Sequence, residues 1–342
     1  MRNITRLARL LAIPLVLAAL LSDFLSPGAP NLLDLSQFYA PPSHIHFWDA
    51  RGSFHWRPFV YRLRLIESQD ASYQEQNDQI FPLEFFCEGY RYQFLGLIPA
   101  SRHLLGTQTA GVFHPWGTDE LGRDVLARTL AGARSSMLVL LFGIALYFTL
   151  GLAVGAFAGV GGGWIDAVLM RLSEFVLALP ALYLVLAVRA LLPSQMPFWQ
   201  TAFLTAGTIA CVAWPPMARG VRGLILQIKN ACYVEAARAL GASRWHIFRR
   251  HMLPALAPFA LAQTAVAAPV FILGEVILSF LNVGFNDSGA SWGAMLHNLM
   301  RDPRVLTDFS WNLAPLGFVF ATLFCLNSFS RQLRAKEPSQ LA

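Results

Sequence analysis

Charge is scarce in this chain of 342 residues: Asp, Glu, Lys and Arg make up 13% of it, against 55% hydrophobic residues. That charged share is roughly half the norm for soluble proteins, which excludes an ordinary water-soluble globule and points to a membrane. Lysine is nearly missing. Only Lys229 and Lys336 occur, and neither follows a glycine. A phosphate-cradling loop of the form G-x-x-x-x-G-K-[ST] therefore cannot be built here. If the chain works with ATP, the hydrolysing site is on another polypeptide, and no cofactor is expected on this one. Cysteine is sparse too. Cys87, Cys211, Cys232 and Cys325 lie far apart, without C-x-x-C or zinc spacing, so neither a disulfide framework nor a metal site follows. No H-E-x-x-H occurs, and the histidines avoid the deep apolar runs, which weighs against a membrane-embedded enzyme. The net charge of +6 raises nucleic acid as a partner. No basic patch interleaved with stacking aromatics supports it, and nucleic acid is set aside.

What is present is apolar length. Arg2, Arg6 and Arg9 precede an uncharged run from Leu10 to Leu21. This reads either as a secretory leader or, preferably, as a retained first span over residues 1–25 with its N-terminus inside. Residues 26–134 form a long polar segment rich in aromatics and proline. Stretches such as His55–Leu63 predict short strands within it. His44, His46 and His55 fit no strong metal spacing. The segment ends on Gly117-Thr-Asp-Glu-Leu-Gly-Arg-Asp124. Thr118 or Asp119 is expected to cap a helix there. Leu121, Val125, Leu126 and Leu130 then make the apolar stripe of an amphipathic helix lying at the membrane surface.

Five further spans are expected. Met137–Val160 carries Gly151, Gly155 and Gly159 on one face, a pattern for close helix packing. Ile165–Leu192 holds the pair Arg171 and Glu174 and a kink at Pro180. Thr201–Met217 is broken by Trp214-Pro-Pro216. Ala255–Leu281 contains Glu275, an intramembrane acid and so a candidate pathway or gate residue or a structural acid. Phe309–Phe329 is the last span, followed by Arg331, Arg334 and Lys336. Between the fourth and fifth spans, residues 219–254 carry Arg219, Arg222, Lys229, Arg238, Arg244, Arg249 and Arg250 against Glu235 alone. Such a loop is cytoplasmic by the positive-inside rule.

That loop reads locally as helix, break, helix. Asn230 is the expected N-cap of the first helix, Gly241 the left-handed residue ending it, and Ser243 the cap of the second. Pro254 closes the second helix or opens the next span. Trp245, Phe248 and Met252 fall at i, i+3 and i+7, one apolar face.

The spacing Glu235-Ala236-Ala237, three residues, Gly241, nine residues, then His251-Met252-Leu253-Pro254 resembles the EAA loop of bacterial ABC-importer permeases. His251 stands where that pattern has an aliphatic residue. The 117–124 element, Glu275-Val-Ile-Leu-Ser-Phe-Leu281 and Ser291-Trp-Gly-Ala-Met-Leu296 resemble elements of the C-type permeases of dipeptide, oligopeptide and nickel importers. Asn282 replaces a glycine of that pattern. The resemblance covers roughly residues 90–330. It implies an all-α polytopic membrane protein of the type I importer permease fold, with six transmembrane helices and a long extracytoplasmic segment after the first. By segment, this means a span at 1–25, an outer segment at 26–134, a five-helix core at 135–330 and a cytoplasmic tail at 331–342. It implies a non-catalytic subunit of the bacterial cytoplasmic membrane, both termini inside. Its partners would be a second permease, two ATP-binding cassette ATPases and an extracytoplasmic binding protein. Glu235, Ala236, Ala237, Gly241, Trp245, Phe248, Leu253 and Pro254 would form the coupling loop. Peptides are the leading cargo, with nickel or another small solute the alternative. A secondary transporter would need more intramembrane charge and commonly an inverted repeat.

Overall fold

A computed structural model describes residues 2–67, 70–94, 98–109, 111–191, 193, 196–285 and 289–336. The chain forms two compact units, and each is taken by itself.

The first unit comprises Met1–Arg9, Leu138–Glu275 and Leu323–Ala342. Its centre is the packing of α3 (Val125–Gly161) on α7 (Pro215–Lys229). The glycine stripe works as its spacing predicts. A Cβ on Gly151 would lie 2.4 Å from Met217, one on Gly155 2.5 Å from the Ala218 carbonyl, and one on Gly159 2.8 Å from Ile225. The backbones can come this close because no side chain stands between them. Ahead of α7 runs α6 (Phe198–Ala213). The two meet at Trp214 with a 49° bend, because Pro215 and Pro216 cannot donate the amides a continuous helix needs. Arg219, Arg222 and Lys229 thus stand on a helix, not in the loop expected to begin at residue 219. The expected kink at Pro180 is a full break. α4 (Gly163–Ala178) and α5 (Ala181–Ala190) meet at 95°, a broken span or a re-entrant loop.

The second unit comprises Leu10–Met137 and Val276–Thr322. α1 (Arg2–Leu20) runs into it and is followed by the short α2 (Ser22–Leu25). The all-α expectation fails here. β1 (His46–Trp48), β2 (Phe54–Glu67) and β3 (Ser72–Pro82) pair antiparallel in that order, and β4 (Glu84–Phe94) pairs with β5 (Ile98–Gly106). The 55–63 stretch lies inside β2, a strand far longer than its own pattern marks. Val60, Phe81, Leu83, Val112 and Phe113 bury together. Elsewhere Tyr39 stacks on Phe309 at 4.2 Å.

Two local expectations need correcting. Neither Thr118 nor Asp119 caps α3. Asp124 does, its carboxylate accepting from the Ala127 amide at 2.7 Å. Thr118 instead accepts from the Ala40 amide, and Asp119 holds Arg123 at 2.8 Å and Arg128 at 3.5 Å, all three buried. The amphipathic helix and the second span are one unbroken α3, because no residue between Val125 and Gly161 stops a helix.

α10 (Leu253–Phe280) bridges the sequence from the loop to Phe280, and α12 (Ala314–Lys336) closes the chain. Among the described residues, three helical stretches are long and apolar enough to cross a membrane: Val125–Gly161, Arg244–Phe280 and Ser310–Ala335. The count reaches five if each bent pair is one span, and α1 is not among them. After α10, Asn282 adopts φ +58°. Asparagine is among the non-glycine residues that best tolerate this conformation, which accounts for its place where the motif has glycine. Then Ser291 caps α11 (Trp292–His297), accepting from Ala294. Trp292 is fully buried, and its indole donates to the Thr129 carbonyl at 3.0 Å.

Candidate functional site

The basic loop starts where α7 ends. Lys229 reaches back to the carbonyls of Gly159 and Val160, 3.4 and 3.3 Å away. These are open acceptors at the C-terminus of α3, and a cation there complements the helix dipole. Arg222, about two turns earlier on α7, makes a two-point ion pair with Asp166 of α4. The site is thus held by two cations whose partners lie more than fifty residues away in sequence.

Asn230 does not cap the next helix. It is the C-terminal cap of α7, which extends further than expected. The N-cap of α8 (Cys232–Ala239) is Ala231, with no side-chain hydrogen bond. Glu235 is exposed in the first turn of α8. There the helix dipole favours a carboxylate, a local benefit that sequence spacing alone did not reveal. Ala236 is exposed and Ala237 half-buried, while Val234 is the residue that anchors α8.

The turn after α8 is a Schellman motif. Ala242 donates to the Ala237 carbonyl at 3.0 Å and Gly241 to that of Arg238 at 2.9 Å. Gly241 has φ +83°, and nothing lies within 4 Å of where its Cβ would be. Backbone conformation, not lack of room, demands glycine here. Leu240 beside it is 88% exposed, an apolar tip offered to whatever covers this turn. Ser243 then caps α9 (Arg244–Ile247), accepting from His246 at 3.2 Å.

From Phe248 to Met252 the helix loosens into a π-type stretch before α10 begins. One extra residue in a turn shifts the apolar face. Met252, expected to share a face with Trp245 and Phe248, is buried instead, and Leu253 takes its place. Trp245 and Phe248 stack at 5.8 Å. With Leu253 and the Phe148 and Phe157 side of α3 they line an apolar groove of 510 Å³. Pro254 is the second residue of α10, just past the π-type stretch. His251, the departure from the motif, packs 5.8 Å from Tyr233 within this stretch.

Glu275 does not join this cluster. It is fully buried and lies on α10 22 residues beyond Leu253, roughly 33 Å along the helix. His44 and His46 both face Glu75, at 4.0 and 3.1 Å, while His55 faces Asp49 at 3.1 Å, and among the described residues no group of three or more such side chains could hold a metal ion. Gly289-Ala-Ser-Trp-Gly293 has the G-x-S-x-G spelling of a hydrolase nucleophile elbow. It does not sit between a strand and a helix, and Ser291 is buried with its hydroxyl accepting from the Ala294 amide.

Residues 151–333 match the family described as binding-protein-dependent transport system inner membrane component. The dipeptide transport system permease protein of Bacillus subtilis is 37% identical over 215 residues, 63% of this chain and 65% of that protein's length. A putative peptide permease protein of Brucella suis is 34% identical, across 65% of this chain and 71% of its own. The oligopeptide transport system permease protein of Haemophilus influenzae is 36% identical, across 65% and 69%. Among solved structures, the MetNI methionine ABC transporter in inward-facing conformations has 16% identity and a TM-score of 0.45, covering 62% of this chain and 95% of that one. The family match takes in more than half of the residues, including α4 to α11 and all of the basic loop, and the chain belongs to the family of binding-protein-dependent transport system inner membrane components.

Proposed function

We propose that this chain is a permease subunit of an ATP-binding cassette importer that brings peptides across the bacterial cytoplasmic membrane. The observation that carries the reading is the loop itself. An exposed helix, a glycine-dependent Schellman turn and a second short helix stand between membrane helices, clamped by Lys229 and Arg222 to α3 and α4. Such an element transmits a push because the helix that leads into it is held in place. In this reading Glu235, Ala236, Ala237, Gly241, Trp245, Phe248, Leu253 and Pro254 form the surface on which an ATPase subunit docks. Glu235 meets a cation of that partner, since a charge-assisted contact is strong and directional. Two ATPases drive this chain and a second permease between inward- and outward-open states. An extracytoplasmic binding protein delivers cargo. Glu275 belongs to the pathway or its gate.

The fold that goes with this function has six spans of the type I importer kind. α1 is the first, the β-rich segment lies outside, and both termini and the basic loop lie inside. The excess of cations over the single acid in the loop supports this orientation. Peptide cargo is favoured by the relatives' names, which describe dipeptide and oligopeptide transport. The test is uptake into proteoliposomes holding the whole complex, with labelled di- and oligopeptides or Ni²⁺ outside and ATP within. ATP-dependent accumulation of peptide is expected. Accumulation of Ni²⁺ without peptide would replace the cargo, and accumulation that needs an ion gradient but no ATP would replace the class.

A further inference from the structure

The β4–β5 hairpin carries an apolar feature that its own fold does not use. Phe85 and Phe86 are consecutive on β4, yet both are exposed, at 72% and 60%. Neighbouring residues of a strand normally point to opposite faces. Here Phe86 has φ +57°, a left-handed conformation that strains an aromatic residue. The strain leaves two adjacent rings in the open.

The surroundings say what covers them. β4 and β5 are fastened to α2, which directly follows the apolar helix α1. His103 of β5 lies with Nδ1 2.8 Å from the Asp23 carbonyl. Tyr90 of β4 donates to the Asp23 carboxylate, which also holds Arg134. The ring of Phe86 lies 6.1 Å from that of Phe24. On α1 the apolar side chains of Ile13, Val16, Leu17 and Leu20 are exposed at helical spacing. They form a stripe that continues through Phe24 to Phe86 and Phe85. A stripe of this kind along a membrane helix faces lipid, and apolar Phe rings at its end suit the boundary between headgroups and acyl chains, where the apolar faces of interfacial segments bury.

We infer that Phe85 and Phe86 insert into the outer-leaflet interface of the bilayer, so that the β4–β5 hairpin rides on the membrane beside the outer end of α1. The inference rests on the proposed topology, in which α1 is a span. The wedge would fix the height of the outer subdomain, leaving the opposite sheet, where Trp56 is 90% exposed, in water.

The experiment is spin labelling of the whole complex in lipid nanodiscs. Single cysteines replace Phe85, Leu17 or Trp56 in a chain freed of its four native cysteines. Collisions with oxygen, which concentrates in lipid, are compared with those of a water-soluble nickel chelate. The labels at 17 and 85 are expected to shift towards oxygen and the label at 56 towards nickel. A water-like label at 85 beside a lipid-like one at 17 overturns the inference alone. Water-like labels at both overturn the topology and the inference with it. Should the cysteine-free complex not assemble, a benzophenone amino acid at position 85 of the native chain reads the same contact. Lipid adducts on irradiation are expected, and adducts with protein alone, the binding protein included, contradict the inference.

Discussion

Asp119 is buried between Arg123 and Arg128. It also accepts from the backbone amides of Leu121 and Arg123, which closes the turn in which Gly122 takes φ +69°. Removing one member of a buried ionic group leaves the others uncompensated, at a cost of about 3–5 kcal/mol. Asp119→Ala is therefore expected to lower the melting temperature of the detergent-solubilised chain by several degrees, measured by fluorescence. An unchanged melt would show that the cluster contributes little. Cys87 gives a second prediction at this scale. It is buried against β5, its Sγ 4.0 Å from the His103 carbonyl, and burial pushes its thiol pKa up. Thiolate is the reactive form, so a membrane-impermeant maleimide is expected to leave Cys87 unlabelled in the folded chain, whichever side it is added from. Rapid labelling would place Cys87 at the surface.

At the scale of elements, the α3–α7 contact separates two kinds of glycine. A Cβ at Gly155 would lie 2.5 Å from the Ala218 carbonyl and 2.8 Å from Val221, whereas one at Gly223 in α7 would meet nothing within 4 Å. A methyl group at 155 must push two helices apart, at roughly 1–3 kcal/mol. A methyl group at 223 only removes the entropy penalty of a helical glycine, a gain of roughly 0.5–1 kcal/mol. Gly155→Ala should thus lower the melting temperature and Gly223→Ala leave or raise it. Equal effects would mean the stripe is not a packing surface. The stripe was readable from its four-residue repeat because packing of this kind is periodic. Pro180 marked an interruption of the helix but not the full 95° break, while the turn at Gly241 and the cap at Ser243 were readable because each is decided within a few residues. Asp166 with Arg222 and Trp292 with Thr129 were not, since their partners are 56 and 163 residues apart. The lengths of β2 to β5 were hidden for the same reason, as strands are completed by their partners. Asn230 misled because a capping residue type fits either end of the boundary between two helices, and only the true length of α7 decides.

For the whole molecule the first question is sidedness. Trp56 is exposed on β2 and Cys232 is exposed in the basic loop. A cysteine placed at 56 should be labelled by an impermeant maleimide in intact cells. Cys232 should be labelled only after the inner face is opened. Labelling of Cys232 from outside would invert the proposed topology.

The central claim is that the loop from α8 to α10 couples ATP hydrolysis to transport, and magnitudes make it testable without unfolding the chain. Glu235→Ala loses a helix-dipole contact of roughly 0.3–1 kcal/mol, and Gly241→Leu strains a left-handed residue by roughly 1–2 kcal/mol. Both are small beside a total stability of roughly 5–15 kcal/mol. Asparagine tolerates the left-handed position, so Gly241→Asn is the matched control. The most direct measurement is peptide taken up per ATP hydrolysed by the reconstituted complex, for the parent and these three variants. Gly241→Asn is expected to keep the parental ratio, while Glu235→Ala and Gly241→Leu assemble and hydrolyse ATP but lose uptake. Parental ratios in all three, with the ATPases bound, would contradict the assignment of this loop as the coupling element.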